Sequence, residues 1–397
     1  MCQDKEIIAQ RIKAIPPSPT LTISAKAKAL KAKGEDVISL AGGEPDFDTP
    51  DHIKKAAIEA ISAGFTKYTP VDGILELKEA VAQYIEKEYS LSYTPEEVMI
   101  SCGGKQALYN LFQVILDPGN EVIIPAPYWV SYPPMVVLAG GKPVIVKTEE
   151  EDDFKLRAKT LKPHITPKTK AIIINSPSNP TGSVYTKTDL IEIAEIALKY
   201  NIYIVSDDVY HKIILDNIDF QCIANLDPEI RKKTFIVNSV SKTYAMTGWR
   251  VGYLIGDRRV IKAATRVQGQ STSNPNSIAQ KAALAALTGP QGFIEGFVAA
   301  FKKRRASLMG HLAKIPMVSC FRPQGAFYAF PCFSSYFNNK IEDSVRFAEY
   351  LLEEVKVAVV PGIAFGSEGF VRLSFVNPLE VIEEGIFRIK KALDKIG

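Results

Sequence analysis

The chain has 397 residues, more than one hydrophobic core usually supports, so its length favours two domains or one large α/β domain with an appendage. Hydrophobic residues make up 46% of the chain and aromatic residues 9%, a composition that argues against intrinsic disorder. The 48 Lys and Arg residues nearly balance the 44 Asp and Glu residues, so the formal charge of +4 argues against nucleic acid as a partner.

The cysteines and histidines are too scattered to form a disulfide framework or a metal centre. The five cysteines include no C-x-x-C pair, and the four histidines include no pair at i and i+4. We therefore predict no metal site and reduced thiols. The N-terminus is charged where a signal peptide needs an apolar run, and no stretch approaches the ~20 apolar residues that span a bilayer. These features predict a cytoplasmic protein with no membrane partner.

Seven short apolar segments in the middle of the chain have the length and composition of buried strands. Most are unbroken runs of Val and Ile, which are typical of a mainly parallel sheet covered by helices on both faces. They lie at 98–101, 122–125, 143–147, 171–175, 202–206, 235–239 and 251–256. Helical spacing is present at 104–116, 187–200 and 277–288, and the last two segments follow Thr, Ser or Asn residues suited to N-caps.

The pattern changes towards the C-terminus and predicts a smaller α+β domain. Helices are expected near 291–312, 342–354 and 378–395, around short strands at 327–330, 357–360 and 371–375. The loop-rich segment 15–47 is expected to pack with this domain. The sequence therefore predicts an α/β fold in three parts. These are an N-terminal arm at 1–15, a small α+β domain from 16–47 and 291–397, and a large domain at 48–290 whose mainly parallel seven-stranded sheet is sandwiched by helices.

The segment SVSKTYAMTGWRVGY at 239–253 combines one lysine with groups that bind a phosphate dianion. Ser239 and Ser241 supply hydroxyls, and Arg250 supplies a fork-shaped cation eight residues after Lys242. A lone lysine at a strand end is usually a surface residue, so the case for Lys242 depends on these neighbours. A lysine beside a phosphate cofactor that carries an aldehyde is a Schiff-base nucleophile.

This segment resembles the pyridoxal-phosphate attachment site of the class I and II aminotransferases, which are fold-type I pyridoxal-phosphate enzymes. Four further segments resemble motifs of that family, in its order and at its spacing. They are SCGGKQALYNLFQVIL at 101–116, IIINSPSNPTG at 172–182, IYIVSDDVY at 202–210 and VRLSF at 371–375. Agreement of five linked motifs by accident is negligible. The resemblance implies pyridoxal 5′-phosphate as the cofactor and a Schiff base at Lys242.

The cofactor ring needs a carboxylate beside its pyridine nitrogen, because the protonated nitrogen makes the ring an electron acceptor. Asp207 at a strand end is the candidate, and a helix N-cap is its alternative role. The resemblance assigns Tyr210 to the O3′ of the cofactor and places Asn179 among the cofactor-binding residues. Trp129 resembles the aromatic residue that stacks on the ring and touches substrate, although it could be an ordinary core indole. The family more often has Glu at the position of Asp208.

Two glycines in SCGGKQAL lie between a strand and a helix, so backbone N–H groups and the helix dipole converge on an anion. With the two serines and the arginine described above, this helix end would complete a phosphate cup. Its members are Gly104, Lys105 and Gln106. Tyr68 resembles the tyrosine that reaches the phosphate of a neighbouring subunit. The resemblance therefore implies a homodimer with shared active sites.

A planar carboxylate is best held by a bidentate guanidinium. Arg372 resembles the arginine that holds the α-carboxylate of the substrate in this family, assisted by Asn179 and the backbone of Gly43. Thr20 in PPSPT and Lys105 resemble the pair that binds the distal carboxylate in one subgroup of aspartate aminotransferases. That subgroup includes members that accept prephenate.

These residues favour an aminotransferase that moves an amino group between aspartate and 2-oxo acids by a ping-pong mechanism, with glutamate and prephenate as further candidates. Lys242 would form the Schiff base and then transfer the proton as general acid and base. A pyridoxal-phosphate lyase of the cysteine-conjugate β-lyase type is an alternative, as is an aminotransferase for aromatic amino acids or alanine. A ligand-binding protein that has lost its catalytic residues is disfavoured. The candidates for those residues are all present, namely Lys242, Asp207, Tyr210 and Arg372.

Overall fold

Strands and helices alternate along the computed structural model, which describes residues 7–15, 17 and 19–396, with the backbone alone at residues 19–21. The strands are β1 (Ile38–Ser39), β2 (Val98–Ser101), β3 (Glu121–Ala126), β4 (Lys142–Lys147), β5 (Thr169–Asn175), β6 (Tyr203–Asp207), β7 (Thr234–Ser239), β8 (Gly252–Ile255), β9 (Tyr328–Ala329), β10 (Val357–Ala358), β11 (Val360–Pro361) and β12 (Val371–Ser374). The helices are α1 (Gln10–Lys13), α2 (Pro19–Ala32), α3 (Asp51–Ser62), α4 (Leu75–Tyr89), α5 (Gly104–Ile115), α6 (Tyr132–Leu138), α7 (Ala158–Leu161), α8 (Lys187–Lys199), α9 (Pro228–Lys233), α10 (Arg258–Gly269), α11 (Ser277–Thr288), α12 (Phe293–Leu312), α13 (Ser344–Val355) and α14 (Leu379–Leu393). The α/β class is confirmed.

The central sheet has seven strands in the order β2-β8-β7-β6-β5-β3-β4. Strand β8 runs antiparallel to its neighbours β2 and β7, and every other pair in the sheet is parallel. All seven predicted strands are present, and their ends agree with the prediction to within two residues. Helices α5 and α10 cover one face, and α4, α8 and α11 cover the other. Burial on both faces explains the unbroken apolar runs of these strands.

A smaller α+β unit is built from both ends of the chain, as predicted. Strand β1 pairs with β10 in parallel, and β11, β12 and β9 form an antiparallel sheet. Ile23 and Leu40 from the N-terminal segment share one apolar core with Phe347 and Ile389 from α13 and α14. The domain boundaries at 1–15, 16–47, 48–290 and 291–397 stay predictions.

The expectation of loop over much of 15–47 is wrong, because α2 occupies 14 residues of it. Half of the helix's 14 residues are Ala or Lys, which favour helical conformation. Its buried side is narrow, with Ile23 and Ala27 at i and i+4, so the apolar pattern is weak. No prediction covers α3, α4 and α10. In α10 the buried stripe is interrupted by charged residues and contains Gln268 as well as Ile261.

Parallel strands bring their carboxyl ends to one edge of the sheet, where polar residues collect. Asn175 ends β5, Asp207 ends β6 and Ser239 ends β7. Gly252, at the start of antiparallel β8, pairs with both Ser101 and Ser239. The loop that follows β2 is thereby placed beside the end of β7. In open α/β sheets, ligands bind in the crevice at this edge.

The described residues offer neither a membrane-spanning helix nor a metal centre. In that part of the chain, no helix combines the length and the apolar character needed to cross a membrane. The same residues contain no cluster of three or more His, Cys, Asp or Glu side chains arranged to hold a metal ion.

Candidate active site

A cavity of about 1450 Å³ opens at the carboxyl edge of the central sheet and is bounded by residues of both units. Its wall contains thirteen of the fifteen predicted site residues. These are Gly43, Gly104, Lys105, Gln106, Trp129, Asn179, Asp207, Tyr210, Ser239, Ser241, Lys242, Arg250 and Arg372. Tyr68 is 91% exposed and lies outside this wall. The side chain of Thr20 lies outside the described residues.

Lys242 lies three residues beyond the end of β7, with its side chain half-buried in the cavity wall. Its Nζ donates a hydrogen bond to the backbone carbonyl of Gly43. Burial, together with the positive charges of Arg372 and Arg250, lowers the pKa of Lys242 to about 8. About a tenth of the amine is therefore neutral near pH 7, far more than for an ordinary lysine, and is available as a nucleophile or base.

Asp207 ends β6 and is buried at the base of the cavity. Its carboxylate accepts a hydrogen bond from the hydroxyl of Tyr132 at 2.6 Å and a longer one from the N–H of Val209 at 3.4 Å. Burial raises the pKa of Asp207 to about 6, and these hydrogen bonds together with the charge of Lys242 oppose that rise. A cationic ring nitrogen beside Asp207 would stabilise the ionised carboxylate.

Asp208 is buried but is absent from the cavity wall. Its carboxyl accepts a hydrogen bond from Ser206 at 2.6 Å, and its second oxygen has no partner among the described residues. Burial raises the pKa of Asp208 to about 7, and the neighbouring charge of Asp207 adds to the rise. Only Asp207 of this pair therefore lines the cavity.

Tyr210 is buried, and its hydroxyl lies 2.9 Å from the hydroxyl of Tyr328. Burial raises the pKa of Tyr210, so its phenol keeps its proton. Sequence reasoning missed Tyr328, which also lines the cavity. The available signal was a hydroxyl in the otherwise apolar run FYAF at 327–330.

Arg372 is a buried cation with no acidic partner among the described residues. Its guanidinium donates to the side-chain oxygen of Asn179 at 3.0 Å and to the carbonyl of Ala41 at 2.9 Å. The guanidinium carbon lies 4.4 Å from the ring centre of Tyr328, and Nε has no hydrogen-bond partner in the described part of the chain. Burial lowers the pKa of Arg372. A buried guanidinium of this kind requires an anion, and a carboxylate matches its two-pronged geometry.

The N-terminus of α5 forms the floor of an anion cup. A Cβ on Gly103, which has a φ of +88°, would lie 2.7 Å from Nη2 of Arg250. A Cβ on Gly252 would lie 2.3 Å from the backbone nitrogen of Gly104. Glycine at both positions therefore lets the helix end, the arginine and Ser239 approach one another. The first N–H groups of an α-helix have no partner within the helix and bind anions readily.

Lys105 and Trp129 lie together in the wall, with Nζ of the lysine 5.0 Å from the centre of the indole. Burial, followed by the charge of Arg250, lowers the pKa of Lys105. The side-chain amide of Gln106 accepts from the N–H of Cys102 at 2.6 Å and donates to the hydroxyl of Thr272. The side chain of Gln106 therefore braces the loop, while its backbone N–H donates to the carbonyl of Gly103 at 3.0 Å.

Sequence reasoning also missed several other residues of the wall. Tyr132 follows Trp129 by three residues in PAPYWVSY, so its helical spacing was a usable signal. Glu44 accepts a hydrogen bond from Thr247 at 2.6 Å, which joins the N-terminal segment to the loop after β7. The remaining missed residues include Ser24, Lys28, Lys31, Tyr109, Asn175 and Ser271.

A sequence profile described as aminotransferase class I and II matches residues 35–389. The chain belongs to this family. A "Probable aspartate/prephenate aminotransferase" of Rickettsia felis is 49% identical over 398 residues, which cover 98% of this chain and 97% of that protein. An "Aspartate aminotransferase" of Bacillus subtilis is 49% identical over 389 residues, which cover 98% of this chain and 99% of that protein.

Solved structures of aminotransferases have the same fold over nearly the whole chain. The aspartate aminotransferase of Rhizobium meliloti is 42% identical, with a TM-score of 0.95 over 99% of this chain and 100% of that one. The Thermus thermophilus aspartate aminotransferase, solved with maleate, is 43% identical, with a TM-score of 0.92 over 98% of this chain and 100% of that one.

Class I and II aminotransferases use pyridoxal phosphate, and the cavity of this family member fits that group. The anion cup offers backbone N–H groups and Arg250, which has no carboxylate partner among the described residues. Asp207 is a buried carboxylate with no cation bonded to it in the described chain. Lys242, with its lowered pKa, lies in the same wall. These groups match the phosphate, the ring nitrogen and the aldehyde of the cofactor.

Proposed function

We propose that the protein is a pyridoxal-phosphate-dependent aminotransferase that takes the amino group of aspartate and passes it to a 2-oxo acid. The observation that carries the proposal is the buried guanidinium of Arg372, which faces the cavity of Lys242 without an acidic partner in the described chain. The names of the relatives from Rickettsia felis and Bacillus subtilis support aspartate as the donor.

Bound pyridoxal phosphate would supply an acceptor for the electrons released when the substrate loses its Cα proton. Asp207 would hold the ring nitrogen protonated, and Tyr210 with Asn179 would donate to the O3′ oxygen. Trp129 would lie against the ring. The cup formed by Gly104, Lys105, Gln106, Ser239, Ser241 and Arg250 would hold the phosphate.

The remaining side chains act on the substrate. Arg372, oriented by Asn179, would hold the α-carboxylate and so fix the Cα–H bond relative to Lys242. The amine of Lys242, whose pKa is about 8, would take the proton from Cα and deliver it to C4′, the aldehyde carbon of the cofactor. Lys105 would hold the second carboxylate of a dicarboxylic substrate. The maleate in the Thermus thermophilus structure is such a dicarboxylate.

A half-reaction screen tests this proposal. Aspartate, glutamate, alanine and phenylalanine are added one at a time to the pyridoxal form, and oxaloacetate, 2-oxoglutarate, prephenate and pyruvate to the pyridoxamine form. Absorbance of the bound cofactor reports each transfer. We expect aspartate, oxaloacetate and 2-oxoglutarate to react fastest. Release of ammonia without pyridoxamine phosphate would show a lyase instead, and a faster reaction with alanine or phenylalanine would overturn the aspartate assignment.

We also propose a homodimer in which Tyr68 of each chain completes the phosphate cup of the other. Tyr68 is 91% exposed, and the segment 58–75 around it in the sequence also exposes the apolar residues Ile58, Ile61 and Leu75. Sedimentation velocity tests the oligomeric state. Mixing Tyr68→Phe chains with Lys242→Ala chains tests the sharing, because a hybrid dimer would contain one complete site. Recovery of activity on mixing is expected, and a monomer or the absence of recovery would contradict the shared site.

A further inference from the structure

Two lysines of α2 line the active-site cavity without a function in the mechanism proposed above. Ser24, Lys28 and Lys31 are spaced at i, i+4 and i+7 and form one stripe of the helix, which faces the cavity. Ile23 and Ala27 are buried in the core of the smaller unit and fix the rotation of the helix. Both lysines are exposed, so their ammonium groups lie at the mouth of the cavity rather than at its base.

Neither lysine is neutralised by the described part of the chain. Lys26 on the same helix forms an ion pair with Glu349. No carboxylate of a described residue forms such a pair with Lys28 or Lys31. Their charges are therefore directed at solvent and at whatever approaches the cavity.

The charge of the wall is strongly asymmetric. Its described cations are Lys28, Lys31, Lys105, Lys242, Arg250 and Arg372, whereas its described carboxylates are Glu44 and Asp207. The formal surplus of four positive charges equals the formal net charge of +4 of the whole chain. The charged residues outside the wall therefore sum to zero, and the wall carries a surplus of positive charge. A cleft lined by one sign of charge raises the local concentration and the association rate of oppositely charged ligands.

We propose that Lys28 and Lys31 form an anion-attracting entrance that favours substrates according to their net negative charge. The inference rests on the proposed function for the identity of these substrates. The entrance acts before binding, whereas Lys105 would contact a carboxylate of the bound substrate. The two roles depend on different properties of the substrate. Attraction at the entrance depends on its net charge, whereas contact with Lys105 depends on its having a second carboxylate.

The test uses four substrates that carry three different net charges near pH 7.5. The 2-oxoglutarate ion carries two negative charges, aspartate and pyruvate carry one each, and alanine carries none. The double variant Lys28→Gln/Lys31→Gln keeps good helix formers at both positions. We expect its kcat/KM for 2-oxoglutarate to fall about 5-fold at low ionic strength. The values for aspartate and pyruvate should fall less than this, and by the same factor as each other. The value for alanine should not change. The value of kcat should hardly change.

Salt and a matched control separate attraction from direct contact. In about 0.5 M salt the screening length falls to roughly 4 Å, so the difference from the wild-type protein should vanish. Lys33→Gln removes one charge from an exposed position in the same segment that does not line the cavity, and it should have little effect. The proposal is overturned if the double variant behaves like this control, or if its loss persists at high salt.

A second measurement does not depend on the proposed reaction. The phosphate of pyridoxal phosphate is a dianion, so its association rate with the full-length protein freed of cofactor, followed by stopped-flow fluorescence, should fall several-fold in the double variant at low salt. A lower rate in a protein that fails to transaminate aspartate would support the entrance and reject the proposed function. An unchanged rate in an active transaminase would reject the entrance alone.

Discussion

The hydroxyl of Tyr132 donates a 2.6 Å hydrogen bond to the carboxylate of Asp207. This bond opposes the effect of burial, which raises the pKa of Asp207 to about 6. A donor that favours the charged form lowers a pKa, so Tyr132→Phe should raise the pKa of Asp207 further. The acidic limb of the kcat/KM profile should then move to higher pH, and kcat/KM at a fixed pH on that limb should fall about 10-fold if the pKa rises by about 1. Profiles of both proteins from pH 5 to 9 test this, and superimposable profiles would contradict it.

Lys242→Ala should separate cofactor binding from turnover. The phosphate cup and Asp207 remain in this variant, so pyridoxal phosphate should still bind, whereas turnover should fall by about 10⁴-fold or more because the proton carrier is lost. Equilibrium dialysis measures the binding and a coupled assay the turnover. Treatment with borohydride should fix cofactor to the wild-type protein and not to the variant. Cofactor fixed to the variant would place the reactive lysine elsewhere.

Arg372→Gln should weaken every amino acid substrate alike. Removing one partner of a desolvated charge pair costs about 2–5 kcal/mol, so kcat/KM should fall by about 30- to 4,000-fold for aspartate and alanine. Arg372→Lys keeps the positive charge but not the planar guanidinium that binds a carboxylate with two hydrogen bonds. It should therefore recover only part of the lost kcat/KM. Cofactor affinity is the control, since Arg372 bonds to Asn179 and Ala41 rather than to the cup. Loss of cofactor from either variant would indicate a structural role instead.

The sequence predicted best what depends on local pattern. The strand that ends at Asp207 is an unbroken apolar run, and burial on both faces of a parallel sheet produces such runs. The N-caps Thr186 and Asn276 were likewise predictable, because each side chain accepts from a backbone N–H three residues ahead. Most of the site followed from motifs that lie at strand and helix ends.

The parts that sequence reasoning missed depend on contacts between distant segments. Tyr328 lies under the guanidinium of Arg372 and beside Tyr210, yet it is 44 residues from the first and 118 from the second along the chain. Its role is decided by the packing of β9 against β12. In α2 the cavity-facing stripe of Lys28 and Lys31 has no apolar signature, so nothing in the local pattern distinguishes it from a solvated helix face.

Asp208 should make stability depend on pH. Its pKa is about 7 in the folded protein, above the ordinary value of 3.8, so the folded state binds the extra proton and stability falls as pH rises between these values. Asp208→Asn keeps a neutral acceptor for Ser206 and removes the free-energy cost of ionising a buried carboxyl group. The variant should exceed the wild-type protein in unfolding free energy by on the order of 4 kcal/mol at pH 8.5 and by about half of that at pH 5.5, because the loss of stability begins near pH 3.8.

Urea unfolding at the two pH values measures this difference. Asp48→Asn, a substitution at an exposed carboxylate, provides the control and should show no comparable dependence on pH. A variant that is less stable than the wild-type protein at pH 8.5 would show that the ionised carboxylate is favoured in the fold.

Lys105→Met should affect dicarboxylic substrates selectively. The ammonium of Lys105 lies 5.0 Å from the ring centre of Trp129, in the same wall as Arg372, so it is available to the second carboxylate of a substrate held by that arginine. Its removal should lower kcat/KM for aspartate by on the order of 2–4 kcal/mol, the range for losing one partner of a desolvated pair, and should leave alanine little changed. Prephenate, if it reacts, should decline with aspartate because it too has two carboxylates.

Unlike the loss expected at Lys28 and Lys31, the loss of kcat/KM in Lys105→Met should persist in high salt, because the contact is made after water has been displaced. An equal decline for alanine and aspartate would mean that Lys105 serves the phosphate cup instead, and the choice of substrate would then have to rest on other residues.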